Sequence, residues 1–207
     1  MDYQKFLEAP TGNVADANGG KGVMDAGIHP LDRHMHVAGP ALTVACAAGD
    51  NLTIHKAVLM AKPGDVLVIN CGGYLNAGVF GEMLALSCAA KGIAGVIIDG
   101  SCRDVNDLIE MDFPTFVRGV NPRGTIKDTL GAVNGEVLCG GVVVHPGDIV
   151  VGDCDGVVVV AAAEAETILE KALAKKAKED ELRPLLKNGD TTANLLGLME
   201  KIGFGRS

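Results

Sequence analysis

The stretch VLVINCGGYLNAGVFGEMLALSCAAKGIAGVII, residues 66–98, carries two apolar runs on either side of a glycine-rich segment and a helical pattern. Val66–Asn70 is a short continuous apolar run, the pattern of a strand buried on both faces. CGGYLNAG (71–78) reads as a glycine-rich loop. The spacing then predicts a helix over about Val79–Lys91, stopped at Gly92, and Ala94–Ile98 is a second buried strand. Strand, loop, helix and strand in that order form a βαβ unit. Its two strands run parallel, which places the chain in the α/β class.

Outward from this unit, Val37–Cys46 reads as an extended segment. Asp50-Asn51 can cap a helix over Leu52–Ala61, where Ile54, Ala57, Val58 and Ala61 share a face. Asp99–Asp104 reads as a loop, followed by a short helix to Met111 and a third strand at Pro114–Arg118. Ala132–Leu138, Val142–His145, Ile149–Val151 and Val157–Ala161 are short β-branched runs between GG, PGD and DCDG turns, so an antiparallel meander is expected. The first thirty residues read as two short helices broken at Gly19-Gly20. A long helix runs from Ala162 to about Lys187, and a further one covers Thr191–Ile202.

The chain has 207 residues, 18 Lys+Arg against 26 Asp+Glu, and 48% hydrophobic residues. That composition supports a real core and is the opposite of a disordered chain. The net charge of -8 argues against a nucleic-acid platform, which needs clustered cations. No apolar run is long enough to cross a bilayer, and MDYQKFLEAP has no signal-type core, so the cytoplasm is the expected location. Six cysteines without a CxxC pair read as reduced, mostly buried thiols.

In open α/β sheets ligands sit beyond the carboxyl ends of the strands, here residues 71–82 and 99–107. Arg103 offers a planar fork for a carboxylate, and Asp104 is a hard oxygen donor suited to magnesium or manganese. On a helix Asp104 and Asp107 would share a face; equally, Asp104 could be an ordinary helix cap with Asp107 serving the helix dipole. Glu82 interrupts the apolar run 79–86. It must be paired, protonated or on a metal, unless it simply faces solvent. Gly81 permits close backbone approach at a helix start. CGGYLNAG lacks the spacing of a nucleotide loop, and His34-x-His36 reads as a surface or interface pair rather than metal ligands.

AGPALTV (38–44), HKAVLMAKPGDVLVI (55–69), Gly81-Glu82, GVIIDGSCRD (95–104), FPTFVRGVNPRG (113–124) and CGGVVVHPGDIVVGDCDGVVVV (139–160) together resemble the RraA-like family. That family holds class II pyruvate aldolases, such as 4-hydroxy-4-methyl-2-oxoglutarate/4-carboxy-4-hydroxy-2-oxoadipate aldolase, and the regulator of ribonuclease activity A. The resemblance implies a swivelling α/β/β/α sandwich with mixed sheets and C-terminal helices. It makes 1–207 a single domain, with a helical N-terminal segment (1–36) and a C-terminal helical arm (162–207). It further implies a trimer or hexamer with sites between subunits. It assigns Arg103 to the pyruvyl carboxylate or enolate and Asp104 to a divalent metal, Mg2+ or Mn2+. Glu82, Asp107 and a neighbouring subunit's Glu179 would reach that metal through water. The backbone at Gly81, Met83 and Leu84 would hold substrate. The implied activity is cleavage of 4-hydroxy-2-keto acids to pyruvate, with oxaloacetate decarboxylation on the side. The alternative is a regulator without catalysis that acts by binding a ribonuclease. The arm, apolar at Leu169, Leu173 and Leu182 but otherwise charged, is expected to dock on a neighbouring subunit.

Overall fold

The computed structural model describes residues 2–204. A 3-10 helix (Tyr3–Glu8) and α1 (Thr11–Ala17) open the chain. Next come β1 (His29–Pro30), β2 (Val37–Ala45), α2 (Leu52–Met60), β3 (Val66–Phe80), α3 (Glu82–Ala90), β4 (Gly95–Cys102), α4 (Val105–Glu110) and β5 (Thr115–Val120). The second half holds β6 (Ala132–Val133), β7 (Val137–Cys139), β8 (Val142–Val144), β9 (Ile149–Asp153), β10 (Gly156–Val160), α5 (Ala165–Lys187) and α6 (Thr192–Leu195).

The main sheet is mixed, in the order β1-β5-β4-β3-β2-β9-β10. β2, β3, β4 and β5 are parallel, as the βαβ reading requires. β2 is shared: residues 37–40 pair with β9, and residues 41–45 pair with β3. Three apolar clusters define the layers. Leu67, Ile69, Val96 and Ile98 on one sheet face meet Ile54 and Ala57 of α2, Leu84, Ala85 and Cys88 of α3 and Leu108 of α4. Val66, Val68, Ile97 and Phe116 on the other face meet Val137, Val144, Val150, Val157 and Val159. The far side of β9 and β10, through Ile149, Val151, Val158 and Val160, packs on Phe6, Val14, Ile168, Leu169 and Ala172. This is the α/β/β/α sandwich. It explains why Val66–Ile69 is apolar without alternation, since both of its faces are covered. Each such side chain contributes roughly 1.5–3 kcal/mol by leaving water.

Several local expectations are corrected. The segment 71–78 is not a free loop; it stays in β3. The pairing with β4 shifts between Asn70 and Tyr74, again before Gly78 and again before Phe80. Gly72 and Gly73, at φ +64° and +70°, let the strand bulge without leaving its partner. Val79 and Phe80 are therefore strand, and α3 begins only at Glu82. β4 likewise runs on through Ser101 and Cys102. The β-rich region is antiparallel but is no continuous meander. β6 pairs with β2, β7 and β8 form their own hairpin, and β9 returns to β2. Helix in the segment 1–36 ends at Ala17, and glycines 19, 20 and 22 turn the chain at positive φ. The expected helix over 191–202 is regular only at Thr192–Leu195. The last residues of the 162–207 arm, 205–207, lie outside the described part. Leu169 and Leu173 pack on this chain's own third cluster, while Leu182 lies further out, in a hollow with Leu186, Leu195 and Leu196. Among the described residues no helix is long and apolar enough to cross a membrane.

Candidate active site

Beyond the carboxyl ends of β3 and β4 lies a cavity of about 290 Å³. Its wall includes Gly78, Val79, Phe80, Gly81, Met83, Leu84, Arg103 and Asp104. The bulged end of β3 carries the chain across the end of β4. There the Arg103 N–H donates to the Phe80 carbonyl at 2.9 Å, and the Asn121 N–H donates to the Cys102 carbonyl at 2.9 Å. The Gly78 N–H donates to the Arg123 carbonyl at 2.9 Å. Arg103 is thus clamped by its backbone between two strands while its side chain stays 45% exposed.

Asp104 holds the cap position of α4, but its side chain does not cap that helix. Its backbone is left-handed, φ +58°, a conformation Asp tolerates better than most residues. The carboxylate instead turns back to α3, where Oδ2 accepts the Glu82 N–H at 3.2 Å. Arg103 Nε stands 3.5 Å from the same oxygen. An exposed pair at that distance is weak, which leaves the guanidinium fork available to a ligand. A Cβ on Gly81 would collide with Asp104 Oδ2, so the close approach needs glycine there. The helix α3 N-terminus favours the negative charge it faces.

The other predicted residues fall as follows. The Met83 N–H donates to no group among the described residues, whereas the Leu84 N–H is engaged by the Gly81 carbonyl at 3.1 Å. Glu82 is the first residue of α3, half-buried, and does not line the cavity. Asp107 is exposed and lines neither hollow that Asp104 borders. The shared helical face expected for 104 and 107 is absent because Asp104 is not helical. Glu179 lies on α5, in the opposite outer layer, where it accepts from Asn13 Nδ2 at 3.0 Å, so it does not reach this chain's own cavity. His34 and His36 are exposed, and His34 meets Arg33.

Residues from α2 and from the 121–129 loop complete the wall: Asn51, His55, Gly124, Thr125 and Lys127. Asn51 donates to the Val79 carbonyl at 3.0 Å, but its buried Oδ1 has no partner. Burial and the Lys127 charge both hold the His55 imidazole below its usual range. Asn51 and His55 are one helical turn apart, so their common face was visible in the sequence; nothing local marked the loop. Asp50 holds that loop. Its carboxylate accepts from the Leu52 N–H at 2.8 Å and from the Asp128 and Thr129 N–H groups at 2.8 and 2.7 Å. Asp99, of the IDG sequence, serves packing: it accepts from Arg118 Nε at 2.6 Å and from the Gly140 N–H at 2.9 Å.

Asp50 yields a test by acid. Its carboxyl is held below the ordinary range, first by the Leu52 N–H and also by the Thr129 and Asp128 N–H groups, against the effect of burial. A lowered folded value gives stability that is complete above the unfolded value of about 3.9 and is lost as pH falls through the folded one. Asp50→Asn should lower Tm at neutral pH and flatten the fall of Tm below about pH 4. Parallel Tm–pH curves for variant and wild type would show that Asp50 does not carry this dependence.

Comparison with known proteins agrees with the architecture. Residues 11–159 match the RraA-like family model, described as Aldolase/RraA. A relative from Halalkalibacterium halodurans, named provisionally as a 4-hydroxy-4-methyl-2-oxoglutarate aldolase, is 39% identical over 179 residues, 86% of this chain and 85% of its own. The crystal structure of an uncharacterized protein from Pseudomonas syringae pv. tomato superposes with TM-score 0.83 at 26% identity, covering 91% of this chain and 89% of that one. Streptomyces coelicolor RraAS2, described as an unusual member of the RNase ES inhibitor RraA family, superposes with TM-score 0.78 at 28% identity, covering 87% and 96%. With its α/β/β/α layers, the Arg103-Asp104 pair at the end of β4 and a family match over most of its length, the chain belongs to the RraA-like family.

Proposed function

We propose that the chain is a divalent-metal-dependent lyase that cleaves 4-hydroxy-2-keto acids to pyruvate, of the 4-hydroxy-4-methyl-2-oxoglutarate aldolase type, with oxaloacetate decarboxylation as a side activity. The observation that carries this is the adjacency of Arg103 and Asp104 on one cavity wall, facing the start of α3. The donor set suits magnesium or manganese. The hydrogen bond and the ion pair of the Asp104 carboxylate both use Oδ2, which leaves Oδ1 open, and the buried Asn51 Oδ1 has no partner among the described residues. One or two hard oxygen ligands, with water for the rest, is how Mg2+ is commonly held. Asp104 is the ligand in this reading, and the ion supplies Lewis-acid stabilisation of negative charge on the substrate.

The chain's own groups do the rest. Arg103 grips the pyruvyl carboxylate through its fork and adds positive charge beside the developing enolate. The free Met83 N–H and the α3 N-terminus favour the same charge. In aldol cleavage the C3–C4 electrons pass to C3 and give the pyruvate enolate. The C4 hydroxyl loses its proton to water ordered by Glu82, C4 becomes a carbonyl, and a proton returned from water to C3 of the enolate gives pyruvate. Decarboxylation of oxaloacetate needs the same enolate without that base, since carbon dioxide leaves directly. The same reading takes the protein as a trimeric or hexameric ring, with Glu179 contributed by a neighbour.

The likeness to RraAS2 favours a second reading, a regulator that binds a ribonuclease and catalyses nothing. Pyruvate release separates the two. With oxaloacetate and with 4-hydroxy-4-methyl-2-oxoglutarate, release is expected in Mg2+, to stop with excess EDTA and to return on re-addition. No release from either substrate with Mg2+ or Mn2+ would remove the lyase reading and leave the binding one.

A further inference from the structure

A second chemically competent cluster lies at the carboxyl ends of β2 and β3, apart from the cavity. Ala45 and Asn70 are the last paired residues of these parallel strands, and the Cys46 N–H donates to the Asn70 carbonyl at 2.9 Å. Cys46 and Cys71 therefore occupy the next position in register. They share the face of Val44 and Ile69, and both pack against the same cluster. Strands about 4.8 Å apart put such a pair within the span of about 4.4–6.8 Å between α-carbons that a disulfide bridges. Both thiols are free. An open hollow formed with Asn70, Gly72, Gly73 and Tyr74 borders both residues, so a small oxidant can reach them.

From this geometry we propose that Cys46 and Cys71 form a peroxide-sensitive dithiol that closes to an intramolecular disulfide, with Cys46 as the attacking sulfur and Cys71 as the resolving one. The Cys46 thiolate attacks hydrogen peroxide. Its S–O bond forms, the O–O bond breaks and hydroxide leaves, so sulfur is oxidised and peroxide reduced. The Cys71 sulfur then attacks the Cys46 sulfenic acid. The S–S bond forms, the S–O bond breaks, and the Cys71 proton leaves with the hydroxyl as water.

The order of attack follows from position and surroundings: Cys46 is half-buried at the hollow, whereas Cys71 is buried. The Cys46 sulfur is faced by the Cys71 thiol and, in the first turn of α2, by the Thr53 hydroxyl and the Ile54 N–H. These favour its thiolate against burial and the Asp50 charge. Cys71 is buried, faces Cys46, Cys139 and Asp99, and is pushed far up. Burial pushes Cys88, Cys102 and Cys139 up to about 12. Cys154 is exposed but is also raised, and stands between Asp153 and Asp155. Among the six thiols, Cys46 combines surroundings that favour the thiolate with a place on the open hollow. The closed bond would fasten the starts of the two segments that deliver Asn51 and Gly81 to the cavity.

The test uses the full reduced chain, free of metal, with a small excess of hydrogen peroxide. Thiols counted after denaturation should fall from six to four, with the loss of the mass of two hydrogens. Peptide mapping should show a Cys46–Cys71 link within one chain that dithiothreitol reverses. Cys46 should react about tenfold faster than Cys154 or more. Cys71→Ser should leave a Cys46 sulfenic acid that dimedone traps. Cys46→Ser should keep its remaining thiols over the same time, and decides the matter alone if Cys71→Ser does not fold. Six surviving thiols, Cys154 reacting first, or links only between chains would overturn the proposal. No readout depends on lyase activity.

Discussion

Asp104→Ala is expected to abolish pyruvate release, by at least about 1,000-fold in kcat/KM, or roughly 4 kcal/mol of transition-state stabilisation. Among the described residues Asp104 is the one carboxylate on the cavity wall, so it is the charged ligand the proposed metal would use there. The fold should survive. Asp104 is 35% exposed in its side chain and contributes nothing to the core. Alanine tolerates the left-handed backbone less well than Asp, so a modest fall in Tm of structural origin is expected. Asp104→Asn separates the two effects. It keeps an oxygen for the Glu82 N–H and the Asp-like tolerance of positive φ, but loses the charge. Its Tm should match the wild type, while calorimetric titration shows most of the Mn2+ affinity gone. Near wild-type turnover of Asp104→Ala at limiting Mg2+ would place the metal elsewhere.

Arg103→Lys carries the next largest effect and separates a substrate-binding arginine from a structural one. The observed partner of Arg103 Nε is Asp104 Oδ2 at 3.5 Å. If that weak pairing were its whole purpose, lysine would preserve the charge and most of the activity. A fork that grips a carboxylate cannot be reproduced by a single ammonium. Loss of one charge-assisted contact in a partly dry site costs roughly 2–4 kcal/mol, on the order of 30- to 1,000-fold in rate. Arg103→Lys should therefore lower kcat/KM at least about tenfold, with metal affinity changed less than in Asp104→Ala. Pyruvate, as product, should inhibit the variant more weakly. Unchanged pyruvate inhibition would return Arg103 to a purely structural role.

The parallel βαβ core is written in the order of the residues, because a strand buried on both faces and a helix beside it leave a continuous apolar run and a periodic one. Val66–Ile69, Val96–Ile98 and the Ile54/Ala57 face of α2 were all legible for that reason. The position of Arg103 and Asp104 just beyond the end of a parallel strand was legible too, since that is where such sheets bind ligands. The extent of β3 was not legible, because whether CGGYLNAG leaves the sheet depends on the β4 backbone beside it. The orientation of Asp104 also belongs to the tertiary structure. Its left-handed backbone breaks the expected 104/107 face and sends the carboxylate to the Glu82 N–H. The fold likewise decides that the shared face of Asn51 and His55, and with it Lys127, meets the cavity. The last comes to the cavity because Asp50 ties its loop to the start of α2 through hydrogen bonds spanning 78 and 79 residues. Periodicity records only which face of an element is buried. Contacts between elements far apart in the chain are set when the layers close, and the open wall of this cavity is made of such contacts.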